Sequence, residues 1–60
     1  MNYIHLTDCE TNSTVAVNCK NVSMVKEHEK YTIIIFGSNH VLFVKEDYLD
    51  VVSRLNNPGY

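Results

Sequence analysis

The sequence predicts an α+β fold: a five-stranded antiparallel β-meander followed by one C-terminal helix. Three observations carry this expectation. Apolar and polar residues alternate through two early segments, which is the period of a half-buried strand. Two apolar blocks, Tyr31 to Phe36 and Val41 to Val44, flank the turn-forming run Gly37-Ser38-Asn39-His40. After residue 46 the apolar spacing changes to that of an amphipathic helix.

The first strand is expected over 3–7, YIHLT, with Ile4 and Leu6 on one face and Tyr3, His5 and Thr7 on the other. Residues 8–13, DCETNS, are turn-formers. The second strand follows over 14–18, TVAVN. Pairing Thr7 with Thr14 sets Leu6 opposite Val15 and Ile4 opposite Val17, so the four large aliphatic residues share a face. A third strand is expected over 22–27, VSMVKE, with Val22 and Met24 inward. A turn at His28-Glu29 would then place Met24 against Ile33 and Val22 against Ile35.

Strands four and five are expected over 31–36 and 41–45. A two- or four-residue loop between them pairs Phe36 with Val41, Ile35 with Leu42, Ile34 with Phe43 and Ile33 with Val44. One face then carries Ile33, Ile35, Leu42 and Val44, and the other carries Ile34, Phe36, Val41 and Phe43. The helix is expected over 46–56. Tyr48, Val51, Val52 and Leu55 form its apolar stripe, with Leu49 beside them. Glu46, Asp47 and Asp50 suit its positive end and Arg54 its negative end, and Asn56-Asn57-Pro58-Gly59 stops it.

One helix covers one face of such a sheet. Burying four large apolar side chains contributes roughly 1.5–3 kcal/mol each, against roughly 5–15 kcal/mol for the stability of a whole domain. Sixty residues form a single small domain, and a domain of that size is marginal without a disulfide, a metal or another chain. The quartet Ile34, Phe36, Val41 and Phe43 is therefore the expected interface of a homo-oligomer, most simply a symmetric dimer.

Composition narrows the function. Net charge is −2, and the five cations Lys20, Lys26, Lys30, Lys45 and Arg54 are scattered, which argues against nucleic-acid binding. The MNYIHLTDCE start has no basic segment leading into an apolar run. No apolar run approaches the length of a membrane span. Two cysteines, Cys9 and Cys19, make no disulfide framework. A cytoplasmic chain is expected.

The order of Ile4-His5-Leu6-Thr7, Asn18, Gly37 and Val44-Lys45-Glu46, followed by a short helix, resembles the FlbD-like family of small bacterial proteins. Some members are encoded in flagellar operons and others in mobile elements and phages. The resemblance spans residues 3–55. It implies a non-enzymatic accessory protein with a host or flagellar protein as partner, and it supplies no catalytic residues.

The residues point the same way. His5, His28, His40, Cys9 and Cys19 lack the close ligand pairs of a structural zinc site. Cys9 stands between Asp8 and Glu10, which disfavour a thiolate. Two glycines make no phosphate loop. No enzyme activity, cofactor or metal is expected. The polar side of the first two strands, Tyr3, His5, Thr7, Thr14 and Asn18, together with Asn39 and His40 at the hairpin tip, is the candidate face for a partner or ligand. Its side chains suit stacking and hydrogen bonding. The alternative function is an oligomer that sequesters a small nucleotide-like ligand between subunits, for which the resemblance leaves a phage origin open. A DNA-binding regulator is the weaker alternative.

Overall fold

The computed structural model describes residues 3–56; the helix-stopping run Asn57-Pro58-Gly59 lies outside them. The elements are β1 (Tyr3–Thr7), β2 (Thr14–Asn18), a single 3-10 turn (Cys19–Asn21), β3 (Val22–Glu27), β4 (Thr32–Phe36), β5 (Val41–Val44) and α1 (Tyr48–Asn56). The α+β class holds. The single five-stranded meander does not, because β1 and β2 form one sheet and β3, β4 and β5 another. The chain leaves the first sheet where the Asn18 side chain accepts the Lys20 N–H and caps the 3-10 turn. The two sheets are joined elsewhere, by an antiparallel bridge between Asp8 and Val44. There Cys9 N–H donates to Phe43 C=O at 2.9 Å and Lys45 N–H to Thr7 C=O at 2.9 Å.

The β1–β2 register is the expected one, Thr7 to Thr14 through Ile4 to Val17. Its loop closes with Asp8 N–H on Ser13 C=O, an Asx turn from the Asp8 carboxylate to Glu10 N–H, and Asn12 at φ 60°. Asparagine tolerates that left-handed conformation through its short polar side chain.

The other two registers depart from expectation. Between β4 and β5 the loop has three residues, Gly37-Ser38-Asn39. Asn39 N–H donates to Phe36 C=O and Phe36 N–H to His40 C=O, with Asn39 at φ 66°. This is a turn followed by a left-handed residue, the usual three-residue hairpin. An odd loop shifts the pairing by one residue relative to a two- or four-residue one. Ile34 now pairs with Leu42, Ile33 with Phe43 and Ile35 with Val41, and a one-residue shift exchanges the faces. Between β3 and β4, Ser23 is the extra residue of a β-bulge between Val22 and Met24, with its hydroxyl on Ile35 C=O. His28 N–H bonds Tyr31 C=O, so the turn is Glu29-Lys30 rather than His28-Glu29. The bulge lets Val22 and Val25 both pack on the core and sends Met24 outward.

The core is Ile4, Leu6, Val17, Ile34, Val44 and Val51, with Val15, Val22, Val25, Phe36, Leu42 and Leu55 packed around it. The helix begins after Asp47, whose carbonyl accepts the Val51 N–H. Val51 is fully buried and Leu49 is 76% exposed, so Leu49 lies off the buried stripe. Arg54 pairs with Asp50 at 3.0 Å and donates through Nη1 to His5 C=O at 2.7 Å, tying the helix to β1.

Truncating the fully buried Ile34 to Ala is expected to destabilise the fold by about 2–5 kcal/mol in urea unfolding, while Leu49→Ala stays within about 0.5 kcal/mol. Comparable losses for the two would contradict this packing.

Candidate functional site

The register corrects the expected interface. Ile34 is wholly buried in the subunit's own core and Phe36 packs against that core, whereas Val41 and Phe43 lie on the opposite side, 49% and 36% exposed. The four residues share no face. A second apolar face nevertheless exists, with different members. The outer side of the three-stranded sheet has one row of Met24, Ile35 and Val41 and a second of Lys26, Ile33 and Phe43. At its end His28 stacks flat on Tyr31 (ring centroids 4.2 Å apart, planes 2° apart), and Tyr31 leans on Phe43 at 5.0 Å. The face therefore grades from aliphatic at the β4–β5 turn to aromatic at the β3–β4 turn. Met24 is 53% exposed, and Ile33, Ile35 and Tyr31 are half-buried.

The polar candidate face is partly consumed by the fold. Glu46 accepts the Thr7 N–H through one carboxylate oxygen and the Thr7 hydroxyl through the other, each at 2.9 Å. Its own carbonyl accepts the hydroxyl of buried Thr32 at 2.6 Å. Thr7 and Glu46 are thus structural partners, and Asn18 is engaged as the cap of the 3-10 turn. Tyr3, His5 and Thr14 remain exposed. Asn39 and His40 shape the β4–β5 turn and are exposed. His40 lines a shallow depression with Lys20, Val22 and Phe36, and no residue of the β1–β2 face lines it.

A wider open groove of about 590 Å³ runs between the β3–β4 turn and the helix start. Its lining mixes Glu27, Glu29 and Asp47 with Lys30 and Lys45, so it presents no single sign of charge to a ligand. Among the described residues no group of three or more His, Cys, Asp or Glu side chains could hold a metal, and Cys9 and Cys19 are free thiols. No helix among them is long and apolar enough to cross a membrane. The outer sheet face is the feature that sequence reasoning assigned to the wrong residues. The length of one loop decided it, and Asn39, suited to a left-handed position, was the available signal.

No family model, no curated protein and no solved structure matches the chain.

Replacing Glu46 by Ala leaves the Thr7 N–H and hydroxyl without their acceptor, while the main-chain carbonyl that accepts the Thr32 hydroxyl remains. The expected loss is about 1–3 kcal/mol, measured by urea unfolding. Thr7→Val removes only the hydroxyl bond and is expected to cost about 0.5–1.5 kcal/mol; a Glu46→Ala variant as stable as wild type would refute the assigned role.

Proposed function

We infer that this chain is a non-enzymatic interaction protein that works as a homo-oligomer, with the outer face of the three-stranded sheet docking a second copy. The observation that carries the reading is the uncovered row pair Met24-Ile35-Val41 and Ile33-Phe43, on the side of the sheet away from a core that is already complete. Monomers rarely expose such contiguous apolar patches without a partner for them.

The occupant follows from how the face is graded. A two-fold axis across the strands reverses their direction, so the aromatic end of one face lies on the aliphatic end of the other. Phe43 and Tyr31 then meet the partner's Met24, Ile35 and Val41, large rings against smaller side chains, as interdigitating sheet faces require. A self-complementary patch of this kind is what a symmetric dimer uses. The FlbD-like resemblance supports the same class of role, an accessory protein acting in the cytoplasm through protein contacts.

Phe43→Glu places a carboxylate on the β5 side of the face, beside Ile33, and is expected to at least halve the particle mass in size-exclusion chromatography with light scattering, with the far-UV spectrum unchanged because Phe43 is outside the core. An unchanged mass, or a wild-type chain that runs as a monomer at high micromolar concentration, would overturn the reading.

A further inference from the structure

The two-stranded sheet has two edges, and the chain treats them differently. The Asp8 N–H bond to Ser13 C=O fixes the phase of the β1–β2 ladder. Bonded and non-bonded pairs alternate along an antiparallel ribbon. Leu6–Val15 and Ile4–Val17 are therefore the bonded pairs, and Thr7–Thr14 and His5–Ala16 the non-bonded ones. The backbone groups of Thr7 and His5 point out of the β1 edge, and those of Thr14 and Ala16 out of the β2 edge.

On the β1 edge these groups are occupied. Thr7 N–H meets the Glu46 carboxylate, Thr7 C=O accepts Lys45 N–H, and His5 C=O accepts the Arg54 guanidinium. On the β2 edge nothing among the described residues bonds to the backbone of Thr14 or Ala16. Both residues are exposed. Natural edges are usually blunted by a charge, a proline or a bulge. The segment Thr14-Val15-Ala16-Val17-Asn18 has none of these.

We propose that the β2 edge pairs antiparallel with the β2 edge of a second copy, about a two-fold axis at Ala16, making a four-stranded sheet across two subunits. The segment fits itself in that register. Ala16 meets the partner's Ala16 on the axis, as a hydrogen-bonded pair. Val15 lies opposite the partner's Val17, extending the apolar inner face. Thr14 lies opposite the partner's Asn18, hydroxyl against amide. The outward N–H and C=O groups of Ala16 on the two chains satisfy each other.

This contact is separate from the sheet-face contact and adds to it. Each subunit then has two two-fold interfaces, and with their axes crossing at right angles four chains close into a tetramer. The test is light scattering on five proteins. Ala16→Pro removes only an outward N–H, so the β1–β2 ladder is preserved, and φ is set to a value edge strands accept. Ala16→Lys sets two like charges against each other on the axis while leaving an exposed position exposed. Wild type is expected at about four chains and each Ala16 variant at about two. Combining Ala16→Lys with Phe43→Glu is expected to give the monomer. If both Ala16 variants keep the wild-type mass, or if the Ala16 amide of wild type exchanges as fast in concentrated as in dilute protein, the edge pairing is wrong. If Phe43→Glu alone keeps the wild-type mass while the Ala16 variants lower it, the face contact fails and the edge pairing stands.

Discussion

Everything about which side of this molecule is core and which is surface depends on the three residues Gly37-Ser38-Asn39. The β4–β5 hairpin joins two strands that are apolar on both faces, so hydrophobicity alone does not choose between the faces. The choice falls to the loop. With Asn39 in the left-handed region, the loop closes with an odd number of residues, and Ile34, Leu42 and Val44 turn inward together with Thr32. An even loop would bury Ile33 and Ile35 instead and leave Ile34 wet. The inward set is completed from elsewhere, by Ile4, Leu6 and Val17 of the first sheet and Val51 of the helix. Register here is a tertiary decision carried by one turn.

The second constraint is the junction at Glu46. Three elements meet there: Thr7 at the end of β1, Thr32 at the start of β4, and the entry to α1. Thr32 is buried and satisfied by the Glu46 carbonyl, so a polar residue in the core carries no desolvation deficit. The carboxylate of the same residue closes the β1 edge. A single residue thus binds both sheets together just where they touch through Asp8 and Val44.

The element list was readable in the sequence because turn-forming runs separate the apolar segments and the helix has its own period, and the β1–β2 register was readable because its aliphatic residues alternate cleanly. The split into two sheets was not legible because no local pattern reports which strands share a ladder, and the two register failures arose where alternation gives no information. Residues 31–36 and 41–45 are apolar at nearly every position, so two registers satisfy burial equally well. Residues 22–27 contain a bulge, and Ser23 gives little sign of one beyond its small hydroxyl side chain. The Thr7–Glu46 pair was hidden for a different reason: it spans 39 residues, and no local pattern reports a contact at that distance. Thr7 therefore read as a free polar residue although it is already bound.

Charge placement bears on why the outer sheet face can be buried at modest cost. The seven acidic residues lie in the β1–β2 loop (Asp8, Glu10), at the β3–β4 turn (Glu27, Glu29) and around the helix (Glu46, Asp47, Asp50). None occupies the rows Met24-Ile35-Val41 and Lys26-Ile33-Phe43. Covering those rows takes no carboxylate out of water, and removing a charge from water is the term that most often defeats an apolar contact. The one cation in the rows, Lys26, sits on β3 at the margin of the sheet, where its methylene stem can lie on a neighbouring apolar surface while the ammonium stays hydrated. The same absence of charge marks the β2 edge. The chain's net charge is −2, and its carboxylates are confined to the β1–β2 loop, the β3–β4 turn and the helix region, away from both this face and this edge.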